Sequence, residues 1–292
     1  MNPSATTVAE SSLLLWFLGV FVAVLAAHVM LGWVRQGMHQ PGLRAGWRGL
    51  LLAGLVFGSG ICSAMVLSLS AEALPFRLGF RWRAVPLLWL GASVAALPAL
   101  ALLSRRQGWF ALGFAAVWLA VVALVVQSGW IWAVGFRPGV TWRPEFQASA
   151  LIVATLGVFA ALYLCFIGGG KEGRRRQLWR VGAAALLALS LVAAQEIVMA
   201  GAGLLAQVGA VYHREVPASV LSLLGGVIVP LLLVVMTLDL AMRRRQRKRD
   251  LRRRHGRGGT RLETPDQQAT KAHDSALPTT MSRAARRPCA RR

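Results

Sequence analysis

Seven uncharged or nearly uncharged apolar runs, at about 13–34, 49–71, 85–104, 108–136, 146–170, 181–212 and 216–242, constrain this chain more than any other feature. Each reaches the ~20 residues that cross a hydrocarbon core of about 30 Å at 1.5 Å per residue. Lipid offers no water to a backbone amide, so at these lengths only a helix satisfies its own N–H and C=O groups. The runs therefore predict an all-α polytopic membrane protein with seven transmembrane helices. Composition agrees: 56% of the 292 residues are apolar and 15% are charged, where a soluble domain carries about a quarter charged. A soluble enzyme with a water-exposed surface is excluded. So is a disulfide-stapled secreted domain, because Cys62 and Cys165 lie inside apolar runs and Cys289 lies near the C-terminus. The first run reads as a retained span and not a cleaved signal, since Glu10 is the only charged residue in 1–12.

The basic residues set an orientation. Connections after odd-numbered runs, with the first residues after the seventh, hold 19 Lys and Arg, against six after even-numbered runs. Cytoplasmic loops carry the excess of Lys and Arg. The bias predicts a short outer N-terminus (1–12), a membrane domain (13–242) and a cytoplasmic C-terminal tail (243–292) in the cell inner membrane. That tail holds 17 basic and 4 acidic residues in an Arg-, Gly-, Ser- and Pro-rich context, the composition of a disordered segment. Arg243, Arg244, Arg245, Arg247, Lys248 and Arg249 follow directly on the last span. They suit an anionic lipid surface, at about 1 kcal/mol per residue. Nucleic acid is not expected as a partner, because the tail lacks the aromatic residues that stack bases.

The chain also resembles itself. Trp47, Trp109 and Trp179 open the three even-numbered spans at intervals of 62 and 70 residues, and Pro75, Pro138 and Pro217 follow those spans. The pattern predicts three two-helix repeats plus a closing helix. Counting from each tryptophan, Met65 and Gln127 lie 18 residues on and Gln195 lies 16 on. At 1.5 Å per residue these positions share one depth, roughly 24–27 Å from the tryptophans.

Here Gly60-Ile61-Cys62-Ser63, followed by Leu74-Pro75-Phe76, resembles one repeat of the bacterial MHYT integral-membrane sensor domain. That family has three such repeats, each with a Met-His-Tyr-Thr-like run at the outer end of a span. The resemblance covers about residues 13–240. It implies a sensor of copper, or of oxygen, carbon monoxide or nitric oxide, holding copper through Met and His and signalling to an output module. In this chain the Met-His pair reads Ala64-Met65, the second repeat reads Val126-Gln127-Ser128, and the third reads Ala194-Gln195-Glu196 with Met199 at a ligand position. None of the three runs contains a histidine. Met65 and Met199 are the candidate soft donors for copper. With no output domain of its own, such a sensor passes its signal through a separate signalling protein.

Gln127, Gln195 and Glu196 form a candidate polar cluster inside the bilayer, where a charge costs at least ~2.5–3.5 kcal/mol and by default faces the bundle interior. His213 stands at the outer edge of the sixth run, within possible approach of Met199; His28 in the first run is expected to bond between helices, Asp239 to pair with Arg243, and Pro98 and Pro230 to kink their spans. No enzyme is expected: Gly168-Gly169-Gly170 lacks Walker spacing, and there is neither a Ser-His-Asp set nor an HExxH run. Two other classes compete with the sensor. One is a small-solute or proton transporter or channel using Glu196 and Gln195, the other a membrane scaffold or assembly factor.

Overall fold

A computed structural model of the chain describes residues 3–38, 43–71, 79–105, 108–137, 140–166, 174–204, 209–210, 216–242 and 246. Among them are seven helices long and apolar enough to cross a membrane: Leu13–Gln36, Trp47–Ala71, Ala84–Arg105, Trp109–Val134, Pro144–Phe166, Gln177–Ala200 and Ala218–Met242. The protein is an all-α polytopic membrane protein. The basic residues read as a lipid anchor, Arg243 to Arg249, and the tail beyond them lie outside the described residues.

The first two spans belong to α1 (Pro3–Met38) and α2 (Leu43–Ala71). The third is divided into α3 (Ala84–Ala95) and α4 (Leu97–Arg105). Pro98 accounts for the break, because it has no N–H to donate to the Val94 carbonyl and its ring crowds the preceding turn. Helices α5 (Trp109–Val134), α6 (Pro144–Phe166) and α7 (Arg174–Ala200) follow. The seventh span starts as α8 (Ala218–Leu223), widens into a π-helical turn at Leu224–Ile228, and continues through 229–242. In that turn the Val229 N–H donates five residues back to Leu224, immediately before Pro230. Both prolines thus distort their spans.

Helices α1 and α2, α3/α4 and α5, and α6 and α7 pack as three successive hairpins. Contacts of α2 with α3, α5 with α6, and α1 with α7 join the hairpins into a ring. The last span does not close it. It packs on α1 and α2 from outside and is the least buried of the seven. Trp47, Trp109 and Trp179 are exposed at the starts of α2, α5 and α7, which places all three at one end of the bundle.

The opposite end is tied by three two-stranded antiparallel ladders. Strand β1 (Gly79–Phe80) pairs with β6 (Val216–Pro217), β2 (Phe136–Arg137) with β5 (Gly209–Ala210), and β3 (Val140–Trp142) with β4 (Ala202–Leu204). The connection after α7 therefore bonds to the connections after α2 and α5. This explains why the sixth apolar run, read from sequence as helical to residue 212, is helical only to Ala200. The run stays uncharged beyond that point, but Gly201, Gly203 and Gly209 each cost about 1 kcal/mol in a helix relative to Ala. The extended backbone there gains strand partners instead.

Candidate functional site

At the centre of the ring lies a small cavity of about 50 Å³, walled by α1, α2, α5, α6 and α7. Met65, Gln127 and Gln195 all line it, one from each repeat. Met30 of α1 also lines it and is fully buried. Apart from Phe57, the rest of the wall is alanine, glycine and branched aliphatic residues, whose small members let the helix backbones approach closely. Gly60 of α2, for example, faces Ala26 of α1 with no room for a side chain between them.

The two glutamines are 3% and 6% exposed, so their amides are withdrawn from solvent and lipid alike. The Gln127 side-chain amide donates to the Gln195 backbone carbonyl at 3.1 Å, bridging α5 and α7. That carbonyl lies one turn before the end of α7, at the depth where the helix approaches its terminal Gly201. The cavity exceeds the ~10–15 Å³ that a single water occupies, and it has polar groups to hold one. It can therefore accept water or a ligand of very few atoms.

Glu196, the neighbour of Gln195, does not enter this cavity. It is exposed on the far side of α7, where the Trp16 indole N–H of α1 donates to its Oε1 at 2.8 Å. Trp16 is itself held edge-on against Phe17, with ring centroids 5.2 Å apart. The expectation that Glu196 faces the interior is thus corrected. Successive helical residues point about 100° apart, so residues 195 and 196 cannot both face one central cavity. Met199 is half-buried and packs against the main apolar core, but does not line the cavity. His28 and Asp239 are half-buried outside it. His213 and Arg243, like the basic run that follows, lie outside the described residues.

These placements bear on copper. The donors that the resemblance implies are Met65 and Met199 with polar residues replacing histidine, and only Met65 reaches the cavity together with Gln127 and Gln195. The Gln127 amide nitrogen is already committed to a carbonyl. Among the described residues no three His, Cys, Asp or Glu side chains converge as a metal site. The Met65–Met199 pair that the resemblance implies is therefore not assembled in the cavity.

Two residues escaped the sequence reading. Met30 is flanked in sequence by Val29 and Leu31, inside an apolar run with no repeat motif to mark it. Trp16 lies 180 positions from Glu196, a pairing that no local pattern encodes. Compared with protein-family models, with curated proteins and with solved structures, the chain has no match.

Proposed function

We propose that this protein is a degenerate relative of the MHYT sensor domain, resident in the cell inner membrane with its N-terminus outside and its C-terminus in the cytoplasm. In this reading it responds to a small uncharged molecule at the centre of the helix ring and signals through a separate partner protein. The observation that carries the reading is the convergence of Met65, Gln127 and Gln195, equivalent positions of three hairpins, on one cavity. A packed bundle needs no polar cavity at its centre. Burying two amides there is costly unless they are bonded, so their presence favours a role in binding. The 19-to-6 distribution of basic residues supports the orientation.

A transporter would need a continuous polar path, and the exposed position of Glu196, away from Gln127 and Gln195, counts against one. The test is hydrogen exchange on the full chain in lipid nanodiscs, equilibrated in turn with nitric oxide and carbon monoxide. The sensor reading expects altered exchange in α2, α5 and α7 around Met65, Gln127 and Gln195 with at least one gas. Replacing Gln127 and Gln195 together by Leu should abolish that response, and Glu196→Gln should leave it. No response to either gas, or proton flux in liposomes that disappears with Glu196→Gln, would overturn the reading.

A further inference from the structure

Glu196 stands where a span seldom carries a charge. Ionisable residues within spans almost always face a bundle interior or a water-filled cavity and pair with another charge or with backbone carbonyls. Here the carboxylate is exposed on the outward face of α7. Among the described residues its one hydrogen-bond partner is the Trp16 indole N–H, at 2.8 Å, and no Lys, Arg or His pairs with it. A carboxylate offers about four acceptor positions, so most of its capacity is unused.

Depth narrows what can meet this carboxylate. The spans Leu13–Gln36 and Gln177–Ala200 have 24 residues each, about 36 Å at 1.5 Å per residue, and so overrun a core of about 30 Å by roughly 3 Å at either end. Trp16 lies close inside the start of the first, and Glu196 one turn before the end of the second, where α7 runs out toward β4. Both therefore sit within about 3 Å of the hydrocarbon boundary, where lipid headgroups begin. Inward from that level, Leu189 is exposed two turns away on the same face of α7, and Phe17 and Phe21 are exposed one turn apart on α1. The seam between α1 and α7 thus presents one anion at the boundary above an apolar strip. That is the complement of an amphiphile with a cationic head, and a water-soluble amine would leave the strip unused.

We propose that Glu196, held by Trp16, binds the primary ammonium headgroup of an ethanolamine phospholipid whose acyl chains lie along Phe17, Phe21 and Leu189. The site is separate from the central cavity and goes beyond the sensor reading. The unused acceptor positions of the carboxylate call for a cation with N–H donors, which a primary ammonium has and a trimethylammonium lacks. Trp16 and Phe17 do not compensate for that lack. They stand edge-to-face, at 84° and 5.2 Å between centroids, so the edge of one ring occupies the face of the other and the pair forms no cage of aromatic faces around a quaternary ammonium.

The experiment uses the full chain, labelled at the indole nitrogens, in nanodiscs of phosphatidylglycerol, whose headgroup carries no ammonium. Trp16→Phe assigns the resonance. Phosphatidylethanolamine is titrated into one sample and phosphatidylcholine into another, and retained lipids are counted by native mass spectrometry. The expected result is a saturable movement of the Trp16 indole resonance with phosphatidylethanolamine, and binding of phosphatidylcholine about tenfold weaker, the equivalent of one charge-assisted hydrogen bond. Glu196→Gln keeps an acceptor for the Trp16 N–H but removes the charge, and should abolish the preference. The proposal is overturned if phosphatidylethanolamine leaves the resonance unmoved, if the two lipids act alike, or if Glu196→Gln retains the preference. A dimer in phosphatidylglycerol alone that Glu196→Gln dissociates would also overturn it, since a second copy would then cover the carboxylate.

Discussion

At the scale of single residues, the contrast between Gln195 and Glu196 shows how helix geometry assigns roles that composition does not. The two are adjacent in sequence and both polar, yet one lines the central cavity and the other pairs with Trp16 on the exposed face. Their removal should have different consequences. Gln127→Leu deletes the donor to the Gln195 carbonyl. Interhelical hydrogen bonds in membrane proteins contribute about 0.6 kcal/mol on average and at most about 1.7, so the loss of stability should fall in that range. Glu196→Leu removes a carboxylate from a surface where leucine is the cheaper residue, and should leave stability equal or higher. Unfolding of each variant in mixed detergent micelles, followed by circular dichroism, measures both. A larger loss for Glu196→Leu than for Gln127→Leu would show that the Trp16 pair matters more to the fold than the central bridge.

At the scale of elements, small residues set how closely the helices approach. Gly54 and Gly58 are four residues apart on one face of α2 and meet α3 at Ser93. A Cβ at Gly54 would come within 2.7 Å of the Ser93 backbone carbonyl and 2.9 Å of Leu97 Cδ2, and a backbone atom cannot rotate aside. Gly113 of α5, by contrast, has open space where its side chain would be. Gly54→Ala should therefore destabilise by about 1–3 kcal/mol through overpacking. Gly113→Ala should stabilise by about 0.5–1 kcal/mol, because alanine loses less backbone freedom in a helix. The same unfolding titration checks both, and opposite signs are the diagnostic outcome. The two proline distortions were legible in the sequence because proline lacks an N–H wherever it stands. Its local response was not: an interrupted helix at Ala96 in one span and a π-helical turn before Pro230 in the other depend on what each segment packs against.

At the scale of the whole molecule, the three ladders are the element that joins the hairpins at one end. Thr141 and Gly203 are paired Cα partners in the β3–β4 ladder. Cysteines at both positions, in a background lacking the native three, should form a disulfide readily, since paired antiparallel residues lie at bridging distance. In living cells the bond should form spontaneously, because the proposed orientation puts these ladders on the oxidising outer side. Free thiols in cells but a disulfide after oxidation in vitro would confirm the register and reverse the topology. The seven spans were readable from sequence alone, since the cost of an unbonded backbone in lipid depends only on a local stretch being apolar and long enough. The shared depth of Met65, Gln127 and Gln195 was readable too, because rise per residue is constant along a helix. Tertiary structure alone decided which way each side chain turns. It brought Met30 into the cavity, left Met199 and Glu196 out, and ended α7 at Ala200. Each of these depends on helix rotation and on contacts between segments far apart in the chain, where hydropathy is uniform and carries no signal.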